Sequence, residues 1–170
     1  VRMSPVEGGL VTADSVEVAS ALIFRALNAG ARLFNGVTVE DVLFKEDRVA
    51  GVVINWSPVL DEGLHVDPLM VEARCVLDAG GHDARLTERI ASKAGVRLST
   101  ETGSVMGEKP MWAVKGEEST VENSGSVFPG LYVSGMAANG VHGSFRMGPI
   151  FGGMFLSGQK VARLMLEELG

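Results

Sequence analysis

Cysteine is nearly absent from this chain. Cys75 stands alone, so no internal disulfide can form, and its place in an apolar run marks it as a small buried hydrophobe rather than a nucleophile. Positive charge is in deficit: 15 Lys and Arg face 21 Asp and Glu, for a net charge of −6. That balance excludes the basic footprint of a nucleic-acid binder and the polybasic patch of a membrane-surface protein. A small anion held by one or two arginines remains compatible with it. No apolar run approaches the roughly 20 residues needed to cross a bilayer, and no signal peptide is visible. With the lone thiol, these features point to the cytoplasm. The motifs CxxC, HExxH, GxSxG and the Walker loop are missing. So is a GxGxxG turn with an acidic residue about 20 positions on, the usual phosphate-binding first half of a dinucleotide fold.

What is present is organised around residues 63–83, GLHVDPLMVEARCVLDAGGHD. His65 and Asp67 precede one apolar run and His82 follows it. Residues 69–79 read as a single buried strand, rising about 3.3 Å per residue. Such a strand would keep Asp67 and His82 far apart. They meet only if the chain turns back at Pro68 or Gly80-Gly81, or if they come from two subunits. Imidazole and carboxylate together suit a divalent metal such as Fe(II) or zinc. Taken singly, residues of these types this far apart more often serve surface or hydrogen-bonding roles.

Elsewhere, residues 1–13 read as an approach loop. Asp14 or Ser15 caps a helix whose apolar face includes Val18, Leu22, Ile23 and Leu27, with Gly30 as its stop. A short strand is expected at 31–35. Strands at 37–45 and 48–56 form a hairpin around Glu46-Asp47. A charged amphipathic helix spans 83–95, and 99–126 reads as a long polar loop of the kind that is functional or mobile. A strand at 131–134, a glycine-rich loop and a helix from 152 to 169 close the chain. Strand, glycine loop and helix in that order offer backbone N–H groups to an anion. The element order predicts an α/β fold, of the flavoprotein-like, glutathione-reductase type of dinucleotide-binding fold, without its N-terminal βαβ part. Residues 1–170 are read as a single domain.

Arg146, in GSFRMGPIFGG at the lip of the last helix, can hold a carboxylate bidentately or stand as a surface arginine facing the helix end. A guanidinium near a helix N-terminus opposes the helix dipole, which an acidic ligand would resolve. Met136 and Met147 fit core or pocket wall, and His142 a hydrogen-bonding loop residue.

The motifs GLHVDP (63–68), GGHDA (80–84), FPGLYVSGM (128–136) and RMGPIFGGMFLSG (146–158) resemble the thiamine thiazole synthase family, in particular its archaeal, sulfide-dependent branch. The resemblance covers nearly the whole chain but only the C-terminal part of a typical member, so a fragment of a longer protein is expected. It implies an enzyme, a transferase that combines NAD, glycine and sulfur into an adenylated thiazole carboxylate and releases nicotinamide. Fungal and plant members donate sulfur from a protein cysteine at the position of His65. A histidine there implies free sulfide as the source, with Fe(II) assisting. The resemblance further implies Asp67 and His82 as iron ligands from adjacent subunits of a homo-oligomer, an octamer. It implies Val39, His65, Val66, Asp67 and Met136 against the NAD-derived substrate, and Arg146 on the glycine carboxylate. His65 is the candidate proton shuttle. Two readings stay open beside it: a catalytically silent nucleotide-binding or oligomerisation fragment, and half of an FAD-dependent oxidoreductase.

Overall fold

Two compact units divide at Gly36 in the computed structural model, which describes all 170 residues. In Val1–Gly36, β1 (Met3–Pro5) pairs antiparallel with β2 (Val11–Ala13), and α1 (Ser15–Asn28) follows. The expected approach loop is thus a small hairpin. Asp14 caps α1 by accepting the Glu17 N–H at 2.9 Å, and Arg2 closes on the Glu17 carboxylate at 2.6 Å. No residue of α1 is buried within the chain. Residues 31–35 form no strand. Between Gly30 and Gly36, five residues without a pairing edge have nothing to hold them extended.

In Val37–Gly170, β3 (Val37–Lys45), β4 (Arg48–Trp56) and β5 (Leu69–Glu72) make an antiparallel meander. Glu46 and Asp47, both at positive φ, form the tight turn expected between the first two strands. The short α2 (Ser57–Asp61) follows β4. A second sheet has the order β6 (Val76–Asp78), β9 (Leu131–Val133), β8 (Gly125–Phe128), with β6 parallel to β9 and β8 antiparallel. Val76, Val127, Leu131 and Val133 from this sheet meet Ile90 of α3 (Arg85–Ala94) and Val141 of α5 (Met136–His142) in the core. Burial of these aliphatic side chains is the main stabilising contribution, about 1.5–3 kcal/mol for each large one before entropy is subtracted.

The single strand expected at 69–79 is two strands in two sheets. The chain leaves the meander at Glu72 and enters the second sheet at Val76, and Arg48 Nη2 donates to the Arg74 carbonyl at 2.6 Å to hold the crossing. An apolar run looks the same whether it stays in one sheet or switches. The expected loop at 99–126 contains β7 (Lys109–Met111) and α4 (Ala113–Asn123). Helix α4 buries Gly116 and Thr120, and Ser124 is buried just past its end. Small and hydroxylic residues at i, i+4 spacing give no hydrophobic period to read. Helix α4 packs on α6 (Gly152–Leu169) and α5, and β7 pairs in parallel with β10 (Phe145–Arg146).

The expected glutathione-reductase-type, flavoprotein-like dinucleotide-binding fold is not what the chain adopts. That fold rests on a parallel sheet wound on both faces by helices. Here β6–β9 and β7–β10 are the parallel pairs, both short, while the longest strands form the antiparallel meander. The pattern at 131–152 misled for a physical reason: LYVSG does not feed the last helix directly. Helix α5 and β10 stand between β9 and α6.

Candidate functional site

His82 sits on the loop between β6 and α3, and the loop is clamped from behind. Asp78, 4% exposed at the end of β6, accepts the Gly80 N–H at 3.0 Å through Oδ1. Its Oδ2 accepts the Thr87 N–H at 3.0 Å and the Thr87 hydroxyl at 2.8 Å. One buried carboxylate thus spans the loop and satisfies an orphan donor in the first turn of α3, where helix-dipole polarity also favours it. The His82 main chain rests against α5: a β-carbon at Gly140 would lie 2.6 Å from the His82 carbonyl oxygen. Only glycine admits that approach.

The His82 side chain is held by a residue that sequence reasoning did not single out. Glu108 Oε1 lies 2.7 Å from His82 Nδ1. The backbone on both sides of Glu108 is tied to α5 and its exit. The Met106 N–H donates to Val141 O, Gly107 N–H to Gly140 O, and Lys109 N–H to Ser144 O, at 2.9–3.1 Å. The same segment continues into β7, which pairs with β10 and so with Arg146. The Trp112 N–H donates to the Arg146 carbonyl at 3.1 Å. Gly116 of α4 presses on the chain just beyond: a β-carbon there would lie 2.6 Å from Met147 N. The Arg146 side chain is exposed and takes part in none of the chain's ion pairs. The structure therefore gathers His82, Glu108 and Arg146 onto elements that share α5 as their support.

His65, Val66 and Asp67 lie in exposed coil between α2 and β5. Ladder pairing of β4 with β5 ends at Ile54 and Leu69. One residue on, the buried Asn55 takes over, its Nδ2 donating to the Val66 carbonyl at 3.1 Å and to Glu40 Oε1 at 3.3 Å. Val39, on β3, shares a cleft of about 510 Å³ with Pro68, Thr38, Asp41, Arg89 and Lys93. That places Val39 beside the residue that follows Asp67. Burial alone would raise the Asp41 carboxyl, yet hydrogen bonds from Lys93 and the Val42 N–H hold it below the ordinary aspartate range. No group of three or more His, Cys, Asp or Glu side chains converges anywhere in the chain, so the structure brings neither Asp67 nor His82 into a complete ligand set.

Met136, 7% exposed, opens α5 directly after β9. His142 closes the same helix, and burial together with the Lys160 ammonium pushes its imidazole below the usual histidine range. Burial raises the Cys75 thiol, and the neighbouring Glu168 carboxylate raises it further. Glu168 also accepts the Tyr132 hydroxyl and lifts that phenol, already raised by burial, to about 12. The anion site expected at the start of the last helix is filled from within, since the Gly153 N–H of α6 donates to Glu117 Oε1 at 3.1 Å. Arg146 lies on β10, not at the lip of α6.

The family model described as the Thi4 family matches residues 1–151. The chain belongs to the Thi4 family. Thiamine thiazole synthase of Thermococcus kodakarensis is 52% identical over 170 residues, which is 100% of this chain and 65% of that protein. The thiamine thiazole synthase of Pyrococcus furiosus is 51% identical over the same share of each. The crystal structure of Thermovibrio ammonificans THI4 superposes with a TM-score of 0.96 at 52% identity, covering 99% of this chain and 66% of that one. That match assigns the mixed α/β fold of the Thi4 family and overturns the glutathione-reductase-type expectation. The chain spans 65% of the length of the two archaeal relatives. No helix is long and apolar enough to cross a membrane.

Proposed function

We propose that this Thi4 chain carries the glycine-, metal- and sulfur-handling side of an adenosine diphosphate thiazole synthase of the archaeal, sulfide-dependent type. The reaction joins NAD, glycine and free sulfide into an adenylated thiazole carboxylate and releases nicotinamide. One observation carries the choice of sulfur source. GLHVDP has His65 where the family resemblance places a donor cysteine, and burial and the Glu168 carboxylate raise the chain's single thiol, at Cys75. A thiol with a raised pKa carries less of the nucleophilic thiolate. Fe(II) and free sulfide both require a reducing compartment, which fits the cytoplasm.

Within this reading each residue has a task. The exposed Arg146 guanidinium grips the glycine carboxylate as a fork and orients its amine toward the opened sugar carbonyl. Its position on β10, tied to β7, gives that grip a fixed frame. Val39, Val66, Asp67 and Met136 face the NAD-derived substrate. The cleft shared by Val39 and Pro68 supports placing the nucleotide side there. His65 moves protons as the condensed glycine tautomerises.

Asp67 and His82 are the candidate iron ligands, and their donor types fit Fe(II). The hydrogen bond at Nδ1 leaves His82 one free ring nitrogen, as a ligating histidine requires. Since one chain assembles no group of three such donors, a metal here would draw on a second copy or on substrate; the first fits the homo-oligomer, an octamer, that the family resemblance implies. When bound, Fe(II) supplies Lewis acidity toward oxygen and sulfur ligands.

An anaerobic assay of the full-length protein with NAD, glycine, sulfide and Fe(II) tests the proposal by mass spectrometry of the thiazole product. The expected result is sulfide-dependent product in excess of one equivalent per chain. Product limited to one equivalent without sulfide, accompanied by loss of the Cys75 sulfur, would overturn the sulfide assignment. No product from folded, iron-loaded protein would favour a silent nucleotide-binding module.

A further inference from the structure

We infer that Glu108 is the positioning residue for the metal-binding histidine, fixing both the tautomer and the direction of the His82 ring. This inference rests on the reading of His82 as a ligand and extends it to a residue 26 positions away in the sequence. The first support is the 2.7 Å contact between His82 Nδ1 and Glu108 Oε1. A carboxylate only accepts, so Nδ1 carries the proton, and in the neutral ring that a metal requires the lone pair resides on Nε2. A ligating histidine that donates its other N–H to a carboxylate gains basicity and loses rotational freedom.

The second support is the way the pair is mounted. Gly140 meets the His82 carbonyl on one side and accepts the Gly107 N–H at 3.0 Å through its own carbonyl. Both halves of the pair are therefore referenced to one buried residue of α5. Bonds from the amides of Met106 and Lys109 bracket Glu108 and fix its backbone within the fold. The Glu108 side chain is 17% exposed and that of His82 40%. The support is thus the more sheltered member, and the imidazole is the one presented outward. A simple surface ion pair would show neither the double tether nor this ordering of exposure.

The experiment is Co(II) titration of the apo form of the full-length protein under anaerobic conditions, followed by visible ligand-field absorption. Wild type is compared with Glu108→Gln, Glu108→Ala and His82→Ala, and the thermal midpoint of each apo protein is recorded alongside. The expected result is a Co(II) affinity about 10–100-fold weaker in Glu108→Ala. Glu108→Gln, whose amide oxygen still accepts from Nδ1 but lacks the charge, falls in between, with an altered Co(II) spectrum and an apo midpoint close to wild type. Where Glu108→Ala fails to fold, the near-isosteric Glu108→Gln decides alone. Wild-type Co(II) affinity and spectrum in the Glu108 variants, with binding lost in His82→Ala, overturn the positioning role and leave His82 as a ligand. Equal Co(II) binding by wild type and His82→Ala, or none by wild type, overturns the ligand reading itself and the inference with it.

Discussion

His82 and Asp67 stand at opposite extremes of support. The His82 loop is clamped by the buried Asp78, pressed on Gly140 and tied through Glu108 to α5. The segment 64–68 is exposed at every residue, and its carbonyl at Val66 is anchored by the Asn55 amide. A catalytic constellation needs its groups preorganised. In the proposed iron site, the His82 half has that property in the single chain. The Asp67 half would gain it if a substrate or another copy covered the coil. Low-stability segments are where binding-coupled ordering takes place.

The largest test of this contrast removes the core behind the rigid half. Ile90 of α3 is fully buried against the β6–β9–β8 sheet. Ile90→Ala is expected to cost about 2–5 kcal/mol through lost burial and the cavity left behind. Urea unfolding measures it. A loss well under that range would mean that α3, and with it the His82 loop, is not integrated in the core.

Gly140→Ala sharpens the contrast more locally. Its β-carbon has to displace the His82 carbonyl, a backbone atom that cannot swing aside, so about 1–3 kcal/mol of overpacking is expected. Hydrogen exchange should quicken at 80–84 and stay unchanged at 63–67. Equal acceleration of both segments would show that they are mechanically one. Asn55→Ala is the reciprocal change. It removes the anchor of Val66 and is expected to cost about 0.5–1.5 kcal/mol, since the freed carbonyl turns to water. Exchange should then quicken at 63–67 and at Trp56, whose N–H loses its acceptor in the Asn55 side chain, and stay unchanged at 80–84.

The readable parts of the fold were those with a hydrophobic period or a turn signature. The 37–56 hairpin, the cap at Asp14 and the stop of α3 at Gly95 follow directly from such signals. Helix α4 was illegible because it packs through Gly116 and Thr120, which carry no apolar stripe. Helix α5 was hidden among glycines that its tight packing requires. In the proposed site, His82 and Arg146 stand out by residue type and motif. Asp78, Asn55 and Glu108 were not, because each acts through a partner 9, 11 or 26 residues away that only the folded chain brings near. The LDAGG run with Thr87 downstream held a faint signal for the Asp78 clamp. Nothing local marked Glu108.

The smallest expected effect concerns His142, on the rigid side of the comparison. Burial at the end of α5, with Lys160 nearby, holds its folded pKa below the unfolded value of about 6.5. Above that unfolded value the imidazole is neutral in both states and contributes no pH dependence. Between the unfolded and the lower folded pKa, the unfolded chain binds more protons, so stability falls as pH falls. Acidification from pH 7.5 to pH 5 is therefore expected to lower the urea midpoint of wild type more than that of His142→Gln, whose amide never charges. At pH 7.5 the two proteins should show the same slope with pH. Titrating residues elsewhere in the chain affect both proteins alike and cancel in the difference. Identical midpoint losses on acidification would mean that the end of α5 opens to water readily, and that the support shared by His82, Glu108 and Arg146 is looser than its burial indicates.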